Sequence, residues 1–169
     1  MSGKPINSVF AEDAFTLKRV TAKTGREFAE VVERFERIVH RLDPNQKAED
    51  AQLSADGLRK RLSGLAAPSG FVLLGKIEHG LLERLGRPGR SVQYAIGNPL
   101  VAADITAYDL GVGLYAPFRL GIFEDLSDGG TTIMFDDPAD LMGSFAIEHV
   151  AEVGRMLSAK VRDLIAQCL

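Results

Sequence analysis

The chain has no tryptophan and a single cysteine, Cys168. One thiol forms no intramolecular disulfide, so a disulfide-stapled scaffold is excluded. A cysteine-built zinc site is excluded with it. Only three histidines are present, His40, His79 and His149. No two of them have metal-ligand spacing, and no HExxH motif occurs. No metal and no cofactor is expected. No apolar run approaches the ~18 residues of a membrane span, and the opening "MSGKPINSVFAEDAF" lacks the apolar core of a signal peptide. Excess positive charge is missing too: 20 Lys and Arg face 23 Asp and Glu, a net charge of −3. Nucleic acid selects a basic surface, so it is not an expected partner, and neither is a membrane. A soluble, cytoplasmic chain is expected.

What is present is 169 residues, 46% of them hydrophobic. That is enough to bury one core unaided. The reading is a polar N-terminal arm over 1–13 and a single α+β domain over 14–169, with 43–70 as an inserted helical excursion. "FTLKRVTA" (15–22) reads as a strand. Thr24 and Glu27 have capping-box spacing. Phe28, Val31, Val32, Phe35, Ile38, Val39 and Leu42 then recur at helical spacing, with Glu30–Arg34 and Glu33–Arg37 as i,i+4 pairs. Asp43-Pro44 ends that helix. Ser54 caps a short helix carrying Leu58, Leu62 and Leu65. Strands are expected over 71–80, 91–97, 114–125 and 131–136, the last two joined by the turn "LSDGG". Asn98-Pro99 and Asp137-Pro138 each open a helix: the Asn or Asp side chain accepts a free first-turn N–H, and proline needs no partner there. From about Phe145, a long amphipathic helix places Ile147, Val150, Gly154, Leu157, Val161, Leu164 and Cys168 on one stripe.

Side chains alternate along a strand. One set is Phe71, Leu73 and Ile77; Val92, Tyr94 and Ile96; Phe118, Leu120 and Ile122; Ile133 and Phe135. It is the expected core face. The other mixes small, apolar and charged residues: Val72, Leu74, Lys76 and Glu78; Gln93, Ala95 and Gly97; Arg119, Gly121 and Phe123; Thr132, Met134 and Asp136. A face of that composition suits a ligand cleft or a subunit interface.

Most local motifs have a structural explanation. Gly97-Asn98-Pro99 is a turn and helix cap, and a helix N-terminus of that kind also receives anions. "GVGLYA" (111–116) matches the dinucleotide pattern in the wrong context, with a helix before and a strand after. No serine stands in a GxSxG elbow, and "EDLSDGG" lacks the ligand alternation of a calcium loop. His149 with Glu152 reads as a solvated helix face. Arg119 is the residue most in need of a partner. A mid-strand arginine among apolar neighbours calls for a charge, and Asp136, Glu78 or an anionic ligand would serve. Asp136 and His79 both end strands.

The run from Phe71 to Met142 resembles the family known as domain of unknown function 302. It carries "IEHG", "YAIGNPLVA", "GLYAPFRLGIFED" and "FDDP" in that order, and Phe15 to Leu42 looks like the family's opening strand and helix. The resemblance implies a mainly antiparallel sheet with helices packed on one face, in two layers, often associated as dimers. It implies no catalytic residues. The expectation is a non-catalytic small-molecule-binding or sensing domain that self-associates as a homodimer and takes a small anionic or polar ligand. Its site is placed near Tyr94, Asn98, Tyr115 and Arg119, with His79 or Asp136 at the edge. The alternatives are an enzyme using His79, Arg119 and Asp136 for acid–base or anion chemistry, and a purely structural dimer.

Overall fold

Strand alternation and helix caps set most of the architecture. The computed structural model describes residues 10–169, so most of the expected arm lies outside the described residues. Five strands, β1 (Arg19–Thr24), β2 (Val72–Glu78), β3 (Ser91–Gly97), β4 (Phe118–Glu124) and β5 (Thr131–Asp136), form one antiparallel sheet. Their order is β1-β5-β4-β3-β2. The helices are α1 (Phe28–Ile38), α2 (Lys47–Asp50), α3 (Ala55–Ala66), α4 (Gly80–Arg84), α5 (Pro99–Thr106), α6 (Pro138–Gly143) and α7 (Glu148–Cys168). Among the described residues, no helix is long and apolar enough to cross a membrane.

The expected caps work where side chains are free to turn inward. Asn98 Oδ1 accepts the N–H groups of Leu100 at 3.0 Å and Val101 at 3.4 Å. Asp137 Oδ1 accepts that of Ala139 at 3.0 Å, and Ser54 Oγ that of Gly57 at 3.2 Å. Thr24 does not cap α1. β1 starts at Arg19 rather than Phe15 and runs on to Thr24, whose hydroxyl accepts from Arg26 N–H and donates to the Leu169 carbonyl. Glu27 takes the cap position without a side-chain hydrogen bond. β4 starts at Phe118 rather than Leu114, because Leu110–Tyr115 forms a 3₁₀ turn capped by Asp109. The last helix starts at Glu148 rather than Phe145. Ala146 adopts φ 54, which an α-helix does not accommodate, and Phe145 packs edge-on against Tyr115 instead.

The inner face of the sheet is the core. Phe71, Leu73, Val92, Tyr94, Ile96, Phe118, Leu120, Ile122, Ile133 and Phe135 are all buried there, against Val31, Phe35 and Val39 at α1 and Leu157, Val161, Leu164 and Ile165 of α7. Ile77, expected among them, is 56% exposed. The cause is a bulge between Leu73 and Gly75, where two residues oppose the single Ala95. An extra residue in one strand reverses every side chain beyond it. Lys76 and Glu78 therefore face inward, opposite Tyr94 and Val92, and Ile77 faces outward opposite Gln93.

Helix α7 keeps its predicted stripe: Val150, Gly154, Leu157, Val161, Leu164 and Cys168 are buried. Burial pushes the Cys168 thiol up to about 11. Gly154 sits where an added Cβ would lie 2.8 Å from the Pro138 carbonyl oxygen, so α6 approaches α7 closely. Ile105, Val112, Met142 and Val150 make a second small core between α5, α6 and α7. His149 belongs to that junction and is not a solvated partner of Glu152. Its Nε2 lies 2.7 Å from Asp104 Oδ2, and its ring packs on Tyr108.

Asp137 joins α6 to α7 through a 2.7 Å bond from Arg162, with a carboxylate only 6% exposed. Burial raises its pKa, but hydrogen bonds from Ser158, Ala139 N–H and Arg162 outweigh that, and the net shift is downward. A carboxyl depressed in the folded state adds stability above its unfolded pKa of about 3.9, and that stability is lost as pH falls through the lower folded value. Asp137→Asn keeps a capping oxygen and loses the charge. We expect it to cost about 1–2 kcal/mol at neutral pH in urea unfolding, with the difference from wild type disappearing under strongly acidic conditions. An equal cost at both pH values would contradict this.

Candidate functional site

The core residues of α1 and α7 pack on the inner face of the sheet, and the outer face carries exposed residues such as Arg19, Arg119 and Ile77 beside buried ones such as Thr132. Register aligns them in rows. In one row, Arg19 stands across from Asp136, Arg119 across from Ala95, and Ala95 across from Gly75. In the next, Thr21, Met134, Gly121, Gln93 and Ile77 follow one another from β1 to β2. The small residues keep the sheet surface low. The Phe123 ring lies over Gly121, with Cε1 and Cζ at 2.6 and 2.7 Å from where a Cβ at that position would be. The result is a groove of about 280 Å³ lined by Arg19, His79, Gln93, Arg119, Met134 and Asp136, among others.

Charge in this groove is unbalanced. Arg19 Nε and an Arg119 terminal nitrogen each lie 3.9 Å from Asp136 oxygens, beyond hydrogen-bond distance. Both arginine side chains are 73% exposed, and neither guanidinium donates a hydrogen bond to any described residue. Two guanidinium groups thus face one carboxylate, with a full set of N–H donors unspent. Arg119 is not the half-buried residue its apolar neighbours suggested. The neighbours Phe118 and Leu120 point inward, and Arg119 points out.

The six expected site residues divide. His79, Arg119 and Asp136 share this groove. Tyr115, Arg119 and Asp136 share an adjoining one. Tyr94 is on the other face: it is fully buried, its ring lies 4.7 Å from that of Phe35, and its hydroxyl donates to Glu36 at 2.6 Å. It is a core residue, because its strand position points it inward. Burial, then the bond to Glu36, raises its phenol pKa well above the usual value. Asn98 is fully used as a cap, and its Nδ2 donates to the Gly70 carbonyl at 3.0 Å. Glu78, once a candidate partner for Arg119, pairs instead with Lys76 at 2.7 Å on the inner side. Arg19 was not anticipated, since only the β1–β5 register brings it to Asp136. Gln93, Phe123 and Met134 were placed on the right face by alternation alone.

A crevice of about 190 Å³ on the inner side, between α1 and the β2 edge, contrasts with the groove. Its cations are matched. Lys76 pairs with Glu36 and Glu78, and Arg90 pairs with Glu124 while stacking on Phe28. Among the described residues, no group of three or more His, Cys, Asp or Glu is placed to hold a metal ion.

The model of a family described as "Domain of unknown function DUF302" matches residues 47–167. The match therefore includes α2 and α3 and leaves β1 and α1 outside. A crystal structure of an uncharacterized conserved protein DUF302 from Bacillus stearothermophilus is similar over 89% of this chain and 98% of that one. The TM-score is 0.63 and the identity 19%, so the likeness carries the fold. No curated protein matches the chain.

The Phe123 ring over Gly121 gives a direct check on the groove floor. Gly121→Ala should cost about 1 kcal/mol in chemical unfolding, because the ring must swing away. In the Gly121→Ala/Phe123→Ala double variant that cost should largely vanish, a coupling of about 1 kcal/mol. Simple additivity would show that the ring does not rest there.

Proposed function

The chain belongs to the DUF302 family, and we propose that it is a small-molecule-binding domain whose ligand carries a carboxylate or a like anion, held on the outer sheet face by Arg19 and Arg119. The observation that supports this is the pair of exposed guanidinium groups around one carboxylate, with no hydrogen bonds spent within the described residues. Guanidinium forks match planar oxyanions in a bidentate fashion. Asp136 lies 3.9 Å from each without accepting a hydrogen bond, and both arginine side chains are 73% exposed, so their donors remain available. The apolar flank of Phe123 and Met134 lowers the local dielectric and strengthens such a contact.

The catalytic reading draws on the same groove, since His79, Arg119 and Asp136 all line it. No hydrogen bond joins His79 to Asp136 or Arg119 among the described residues, so the arrangement supports binding better than proton transfer. Self-association through the outer face is a separate reading. It is favoured by the exposed Ile77 beside the half-buried Phe123 and Met134.

A panel of small carboxylates and phosphate in a thermal-shift assay tests the proposal. A ligand at about 100-fold its Kd should raise the melting temperature by roughly 5–10 °C, less at high salt because the contact is exposed. Arg119→Ala and Arg19→Ala should each remove most of that shift. If no anion shifts the melting temperature, or if the variants respond as wild type does, the binding proposal is wrong. A melting temperature that rises with protein concentration alone would favour self-association.

A further inference from the structure

Arg119 and Asp136 line two grooves, not one. Beyond them, toward the Tyr115 end of the sheet, lies a second hollow of about 360 Å³. Its walls are of a different kind: Phe15, Leu17, Leu114, Tyr115 and Leu141. Phe15 and Leu17 come from the segment before β1, and Leu114 and Tyr115 from the turn before β4. The Phe15 ring meets Tyr115 edge-on at 6.3 Å, and Tyr115 meets Phe145 at 5.9 Å, so the wall is braced from behind. Leu141 is 6% exposed and lies deep, while Phe15, Leu17 and Leu114 are 43%, 40% and 77% exposed. Exposed apolar side chains gathered around one hollow are an unusual use of surface.

The two hollows meet at Arg119 and Asp136. On the His79 side Arg19, His79 and Gln93 stand among apolar residues such as Phe123 and Met134, and on the Tyr115 side every lining residue but Tyr115 and the shared Arg119 and Asp136 is purely apolar. Building on the proposed anion site, we infer that the ligand is an amphipathic carboxylate. Its head group is held between Arg19 and Arg119, and its apolar or aromatic tail lies in the hollow of Phe15, Leu17, Leu114, Tyr115 and Leu141. Charge complementarity selects the head, and burial of exposed apolar surface selects the tail. The volume falls within the range of small-ligand pockets. The Tyr115 hydroxyl makes no hydrogen bond to the described residues and is a free donor at the edge of the hollow. A free amine or a neutral alcohol of equal length would fill the hollow without satisfying the arginines.

Calorimetric titration of the full chain with a series of straight-chain acids, from acetate to octanoate, tests this directly. Affinity should climb with length, at most about fourfold per methylene. Leu17→Ser and Leu114→Ser, both at exposed positions that leave the core intact, should flatten that climb. Arg119→Ala should weaken every acid by a similar factor. If short and long acids bind alike, the tail assignment falls and the anion site stands. If octylamine or octanol binds as well as octanoate, the anion site itself falls, and the inference falls with it. If no acid binds, both are overturned.

Discussion

The inner face of the sheet is dry because Tyr94, Leu120, Ile122 and Ile133 are pressed against Val31 and Phe35 of α1 and Val161 and Leu164 of α7. All of these side chains are fully buried or within a percent of it. Burial of that apolar surface is the main favourable contribution to the fold, and it orients everything else. Once one face of each strand is committed to the helices, the alternate residues must face the other way. Arg119 points to solvent because Phe118 and Leu120 point to the core. The same constraint excludes Tyr94 from any outer site and gives its hydroxyl a partner, Glu36, at the margin of the core.

The outer face is then what remains for function. Its two arginines are more loosely matched than the cations elsewhere that have a carboxylate of their own. Lys76, Arg90 and Arg162 each have a carboxylate within 2.8 Å, whereas Arg19 and Arg119 share Asp136 at 3.9 Å. Exposed ion pairs contribute little to stability in any case. Holding two guanidinium groups over a low sheet surface of Gly75, Ala95 and Gly121 does little for folding. It does leave their N–H donors unspent on one face, which is why we propose that an anion binds there. The hollow beside it, lined by Phe15, Leu17, Leu114, Tyr115 and Leu141, is where we place the tail of that ligand.

Much of this was legible in the residues. β3, α5 and β5 match their expected bounds, because Gly97-Asn98-Pro99 and the "LSDGG" turn are strong local punctuation. The core face was read correctly through ten of its eleven positions, since period-2 alternation is a property of the strand itself. Ile77 was misplaced because a bulge is an extra residue in a pairing, and pairing is not visible from one strand alone. The site was half legible for a related reason. His79, Tyr115, Arg119 and Asp136 were named from their strand ends and faces. Arg19, Phe15 and Leu17 reach the site through the register of β1 against β5 and through the chain leading into it. Both are long-range outcomes of folding. Tyr94 and Asn98 were drawn into the site by proximity in sequence, and each is spent on structure.

We propose that the outer sheet face, at the two arginines, receives an anionic ligand. Backbone amide chemical-shift mapping on titration with a short carboxylate such as hexanoate tests it most directly. The largest changes should fall on Arg19, Arg119, Gly121 and Asp136, across three adjacent strands and on one face. Changes concentrated at the α5 N-terminus around Asn98, or in the inner crevice around Lys76 and Arg90, would contradict it, as would no change at all.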